Sequence, residues 1–178
     1  MPEFAFVGRS NVGKSSLINL LTNRLDLAKV SATPGKTKLL NFFLINNEWG
    51  LVDLPGYGYA QVGKEQRIDF GQMIAQFVAE RSNLRCIFVL IDSRHPPQQI
   101  DLEFLRWLES TAVPFALIFT KADKQGPVRL AANVADYKKA LGEWRSVLPD
   151  ILISSAEKGT GRAEILGYIA QKLGEPAE

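Results

Sequence analysis

One cysteine, Cys86, is all that the 178 residues contain, so no disulfide can close within the chain. It sits inside the apolar run Cys86-Ile87-Phe88-Val89-Leu90-Ile91, where a buried structural thiol is expected rather than a reactive one. No apolar stretch approaches the ~18 residues needed to span a membrane. The opening Met1-Pro2-Glu3-Phe4 lacks a basic region, so no secretory signal is read and the cytoplasm is the expected location. Charge of one sign is scarce as well. A formal net charge of +2 is too small by itself to argue for nucleic acid, and neither DNA nor a membrane is expected as a partner. Internal repeats, low-complexity segments, coiled-coil heptads and dividing linkers are all missing, which predicts one domain over residues 1–178 and a monomer. The remaining composition, 46% hydrophobic and 22% charged, is that of an ordinary globular protein.

What is present begins with Gly8-Arg9-Ser10-Asn11-Val12-Gly13-Lys14-Ser15, which reads G-x-x-x-x-G-K-S. Phe4-Ala5-Phe6-Val7 before it is strand-like, and Ser16-Leu17-Ile18-Asn19-Leu20-Leu21 after it is helix-like. That context makes the motif a phosphate-binding P-loop. Gly8 and Gly13 let the loop curl around an anion with its N–H groups inward, at the positive end of a helix. Lys14 can then reach the terminal phosphates, and the Ser15 hydroxyl can ligate Mg²⁺.

Short apolar runs at 4–7, 39–45, 49–53, 86–92, 115–120 and 151–154 predict six strands. Helical patterns at 14–21, 64–81, 98–110, 128–144 and 162–173 alternate with them. Asn46-Asn47-Glu48 between the second and third runs suits a hairpin, hence one antiparallel edge strand on a mostly parallel α/β sheet with helices on both faces.

Four further motifs follow in order, each at an expected C-terminal strand end or beside one, where open α/β sheets bind ligands. Thr33-Pro34-Gly35-Lys36-Thr37 offers a hydroxyl for Mg²⁺ when a γ-phosphate is present, with Thr37 favoured over Thr33. Asp53-Leu54-Pro55-Gly56 offers a carboxylate to the metal through water and the Gly56 N–H to the γ-phosphate. In Thr120-Lys121-Ala122-Asp123 the carboxylate can accept from the ring N–H and exocyclic amine of guanine, a pair that adenine lacks. Lys121 would lay its stem on the base. Thr120 stands where such motifs usually carry Asn, a departure expected to weaken the bracing of the loop. In Ser154-Ser155-Ala156 the backbone N–H of Ser155 or Ala156 can bond the guanine O6. The five together predict a guanine-nucleotide switch domain.

These motifs, with Asn41-Phe42-Phe43 and above all Asp53-Leu54-Pro55-Gly56-Tyr57-Gly58-Tyr59-Ala60, resemble the bacterial EngB (YihA/YsxC-like) GTPases of the TRAFAC Era/EngA-like group over almost the whole chain. The resemblance implies a Ras-like fold and GTP/GDP binding with Mg²⁺. It also implies a role in assembling the large ribosomal subunit, with rRNA and ribosomal proteins as partners and a further consequence for cell division and septation. Members usually carry an extension before the first strand, which this chain is expected to lack.

Ras-like enzymes orient the attacking water with a glutamine after D-x-x-G. Tyr57 holds that place, and the one histidine, His95, follows a different strand, so slow intrinsic turnover is predicted. Asn11 could ligate K⁺ beside the transferring phosphate or simply brace the loop as an amide; both readings stay open, and the catalytic set is Lys14, Thr37, Gly56 and Asn11. Ribosomal particles could instead activate the site. Lys29, Lys36, Lys38, Lys64 and Arg67, interleaved with Tyr57 and Tyr59, form a candidate RNA-facing surface. A module that binds nucleotide for support without turning it over is the rival function, and an ATP-using kinase is disfavoured by Asp123.

Overall fold

The computed structural model describes residues 1–23, 25, 27–30, 40–58 and 63–175. Among these residues, seven strands and five α-helices succeed one another in the order β1 (Glu3–Gly8), α1 (Lys14–Thr22), β2 (Leu27–Val30), β3 (Asn41–Ile45), β4 (Trp49–Asp53), α2 (Lys64–Glu80), β5 (Leu84–Asp92), α3 (Gln99–Glu109), β6 (Phe115–Thr120), α4 (Pro127–Gly142), β7 (Ile151–Ile153) and α5 (Arg162–Gly174). The sheet runs β2-β3-β4-β1-β5-β6-β7. Strands β4, β1, β5, β6 and β7 are mutually parallel, and β3 is antiparallel to both of its neighbours. All six strands expected from the sequence are present. The seventh, Leu27-Ala28-Lys29-Val30, is too short and too interrupted by Lys29 to announce itself, and pairing with β3 supplies what its composition does not.

Alternation along the central strands divides the core into two layers. Ala5, Val7, Ile87, Val89, Leu117 and Phe119 face one side, where Ile74 and Phe77 of α2, Leu105 and Leu108 of α3 and Tyr137 and Leu141 of α4 cover them. Phe4, Phe6, Phe88, Leu90 and Ile118 face the other, against Leu17 and Leu21 of α1 and Ile165 and Ile169 of α5. Strands covered on both faces read as unbroken apolar runs for this reason. Cys86 lies in the second layer, and burial pushes its thiol up to about 12, which makes it inert. The β3–β4 hairpin turns at Asn46 and Asn47, both left-handed at φ 50° and 56°, a conformation asparagine tolerates better than most residues.

This arrangement ends β1, β4, β5, β6 and β7 on one edge of the sheet. Their following loops converge there, and so do most of the motifs read from the sequence.

Candidate functional site

The P-loop leaves β1 at Gly8 and enters α1 through Gly13, the N-cap, at φ 97° and ψ 22°. A side chain would be strained in that left-handed turn, which is why glycine precedes Lys14. Asn11 is also left-handed, at φ 61°. Val12, 4% exposed, plugs the loop into the α1/α5 layer, while Ser10, Asn11, Ser15 and Ser16 remain exposed on its open side. Lys14 reaches across to β4, where its ammonium donates to the Asp53 carboxylate and to the Leu54 carbonyl. The P-loop lysine and the D-x-x-G aspartate, 39 residues apart in sequence, therefore share one spot.

Beyond β4 the D-x-x-G segment is laid along β1. Leu54 N–H donates to the Phe6 carbonyl at 3.0 Å, and Tyr57 N–H donates to the Gly8 carbonyl at 3.1 Å. Gly56, with Pro55 before it, is buried between these two bonds. Tyr57 turns away from the role of an open aromatic. Its ring stacks on Phe104 with centroids 4.2 Å apart and planes 12° from parallel, and its hydroxyl donates to Asp101 at 2.8 Å. The expectation of Tyr57 as an RNA-facing ring is thereby corrected, because both ring and hydroxyl are engaged within the fold. Burial, helped by the neighbouring Asp101 charge, also raises its phenol well above the ordinary value. Lys64 is exposed at the start of α2. Gly35, Lys36 and Thr37, together with Lys38 and Tyr59, lie outside the described residues, as do the side chains of Lys29 and Arg67.

A third corner forms where β6 and β7 end. Thr120, 3% exposed, donates its hydroxyl to the Val12 carbonyl at 2.6 Å, with the Ile91 carbonyl 3.2 Å away. The replacement of Asn by Thr does not leave the P-loop unbraced, since the shorter hydroxyl spans the gap. Lys121, left-handed at φ 58°, sends its ammonium to the Asn11 carbonyl at 2.7 Å and to Asp92 Oδ2 at 3.1 Å. A single 3₁₀ turn, Ala122–Lys124, then presents Asp123. Ala122 N–H donates to the Ser154 carbonyl at 3.0 Å, and the Ser155 hydroxyl donates to Asp123 Oδ1 at 2.6 Å. That bond, then the Asp123 backbone N–H and the Lys124 ammonium, holds the Asp123 carboxyl below its usual range. Ser154 and Ser155 are buried and Ala156 is half-buried beside them.

Two acidic residues that sequence reasoning passed over complete the arrangement. Asp92 ends β5 on the same edge, bound by Lys121 and by Arg94 through Nε at 2.9 Å and Nη2 at 2.7 Å. Burial alone would raise its pKa, but the Arg94 and Lys121 bonds outweigh that and hold it at about 2. Its signal was positional: a charge closing an apolar strand at the edge that carries the motifs. Asp101 falls four and seven residues before Leu105 and Leu108, so the helical period puts a carboxylate on the buried face of α3.

The Ser15 hydroxyl and the Asp53 carboxylate are hard oxygen donors, and no group of three or more His, Cys, Asp or Glu that could hold a metal occurs among the described residues. A sparse set of this kind suits Mg²⁺, which keeps waters and takes phosphate oxygens as its remaining ligands, and does not suit zinc.

A sheet of this topology, with a P-loop, a D-x-x-G strand end and a guanine corner on one edge, defines a P-loop GTPase domain. A family described as "50S ribosome-binding GTPase" matches residues 3–121. The "Probable GTP-binding protein EngB" of Christiangramia forsetii is 55% identical over 169 residues, covering 95% of this chain and 85% of that one. Its counterpart in Phocaeicola vulgatus is 57% identical over 169 residues, covering 95% and 84%. The chain belongs to the EngB family of GTP-binding proteins, and it is a GTPase with GTP and GDP as its ligands. The crystal structure of a probable GTP-binding protein EngB superposes with a TM-score of 0.75 over 96% of this chain and 98% of that one, at 22% identity, which bears on the fold alone. No helix among the described residues is long and apolar enough to cross a membrane.

Proposed function

We propose that this chain, as a single domain over residues 1–178, is a GTP-operated switch in assembly of the large ribosomal subunit. Family membership supports the ribosomal partner, and the observation that carries the switch is Lys14 bridging to Asp53 and the Leu54 carbonyl. An incoming polyphosphate offers Lys14 stronger acceptors than that carbonyl. Lys14 then moves to the β- and γ-oxygens, while the N–H groups from Gly8 to Ser16 cradle the phosphates. Ser15 and Thr37 would hold Mg²⁺ through their hydroxyls, and Asp53, once released by Lys14, would do so through a water. When bound, that ion neutralises charge on the β- and γ-phosphates. The Gly56 N–H would meet the γ-phosphate, and the proposed binding set also includes Gly35, Lys36 and Thr37. Asp123 accepts from guanine, Lys121 lies on the base, and the Ala156 N–H meets O6, since the Ser155 N–H is spent on the Thr160 carbonyl at 3.1 Å.

Turnover by the free protein is slow, because the residue in the glutamine's place, Tyr57, commits its donor to Asp101 and its ring to Phe104 rather than presenting an amide to a water. Asn11 is exposed and left-handed on the open side of the P-loop, where its side-chain oxygen would be a K⁺ ligand. Equal turnover in KCl and NaCl would remove that role. An effect on cell division and septation would follow from faulty ribosome supply.

Sedimentation with ribosomal subunits, comparing a non-hydrolysable GTP analogue, GDP and no nucleotide, tests the whole reading. Binding to the large subunit only with the analogue is expected. Particles that leave the GTPase rate at zero would instead favour a module that uses nucleotide for support, a reading that the occupied Tyr57 sustains.

A further inference from the structure

Asp101 has 1% of its surface exposed, yet three donors from three parts of the chain meet its carboxylate. Arg9 Nε lies 3.1 Å from Oδ1, the Tyr57 hydroxyl lies 2.8 Å from the same oxygen, and the Tyr137 hydroxyl of α4 lies 3.0 Å from Oδ2. Arg9 directly follows Gly8 of the P-loop, and Tyr57 directly follows Gly56 of D-x-x-G. Burial is the chief influence on Asp101 and raises its carboxyl, against the pull of Tyr57, Arg9 and Tyr137. A charge kept at such a cost, on a helix face otherwise filled by Leu105 and Leu108, points to a positional task that an apolar side chain could not perform.

The backbone supports the same reading. Tyr57 N–H donates to Gly8 at 3.1 Å, so main chain and side chain both tie Tyr57 to the start of the P-loop. Phe104 closes on its ring, and a Cβ on Gly58 would stand 2.3 Å from Ile100 Cδ1, so α3 also presses on the residue beyond. Gly56 is held within this clamp.

We propose that Asp101 is a positioning residue of the nucleotide switch. By holding Arg9 and Tyr57 on one carboxylate oxygen, it sets the Gly56 N–H against the P-loop and so tunes affinity for the γ-phosphate separately from affinity for the diphosphate. The proposal rests on the γ-phosphate role given to Gly56 above. It makes Tyr57 a strut rather than a failed glutamine.

The test titrates the full chain, with Mg²⁺, against fluorescent GDP and a fluorescent non-hydrolysable GTP analogue, for the wild type, Asp101→Asn, Tyr57→Phe and the double variant. Asp101→Asn should weaken the analogue about tenfold while GDP affinity stays within about twofold. Tyr57→Phe should weaken the analogue by a smaller factor, and the double variant should lose no more than Asp101→Asn alone, because the two act through one contact. Equal losses for both nucleotides, or none for either, would overturn the proposal and leave Asp101 a support for the fold. Tyr57→Phe removes one hydroxyl and keeps the question measurable if Asp101→Asn does not fold. A wild type that binds GDP yet gains nothing from the γ-phosphate would instead defeat the switch reading on which the proposal rests.

Discussion

Thr120 Oγ1 lies 2.6 Å from the Val12 carbonyl, tying the end of β6 to the P-loop across 108 residues of sequence. The guanine corner and the phosphate loop are therefore one mechanical unit, joined a second time by Lys121 on the Asn11 carbonyl. Thr120→Val keeps the shape and removes the donor, leaving a buried carbonyl short of a partner. A loss of about 1–2 kcal/mol in urea unfolding is expected, with weaker GDP binding alongside it. Lower stability with unchanged GDP affinity would mean that the brace serves only the fold.

The shared position of Lys14 and Asp53 bears on metal dependence. GDP binding by the wild type should weaken when EDTA removes Mg²⁺. Asp53→Asn should flatten that response, since a neutral amide holds an Mg²⁺-bound water less firmly than a carboxylate. A variant whose affinity still falls as steeply in EDTA would take Asp53 out of the metal site.

The Ser155 hydroxyl donates to Asp123 Oδ1 and lowers its carboxyl pKa, which would ready Asp123 for the guanine contact proposed above. Ser155→Ala should cost about fivefold in GDP affinity, because the carboxylate loses one orienting donor while Lys124 still holds it. Asp123→Ala should reduce the preference for GDP over ADP at least about a hundredfold, because a site built around hydrogen bonds discriminates by them. Competition titrations read both; an undiminished preference would relocate base recognition.

Acid should expose Asp92. Its folded pKa is held at about 2, below the ordinary carboxylate value, so its contribution is present above that value and drains away as pH falls toward 2. The wild type should exceed Asp92→Asn by about 1.5 kcal/mol near neutrality, the range of a hydrogen bond to a charged group, and the gap should close as pH approaches the folded pKa. A gap that is constant with pH would assign the loss to packing.

Legibility tracked the range of the interactions involved. The strands at 49–53 and 115–120 agree with the structure to the residue, because apolar runs covered on both faces and cut by turns are local signals. Gly13 and Lys14 were legible for a similar reason: a tight loop entering a helix restricts residue type position by position. Strand β2 escaped notice because pairing, rather than composition, makes it a strand. Thr120 was misjudged, since whether a hydroxyl reaches a carbonyl depends on the distance between β6 and the P-loop, which no spacing in the chain encodes.

The sequence by itself determined the fold class and where the phosphate loop lies in it, through patterns written within a few residues of one another. Only the tertiary structure decided what the acidic residues and Tyr57 do. Asp92 and Asp101 look like ordinary polar positions in the chain; burial makes each one costly unless paired, and pairing gathers Lys121 and Arg94 onto one and Arg9, Tyr57 and Tyr137 onto the other.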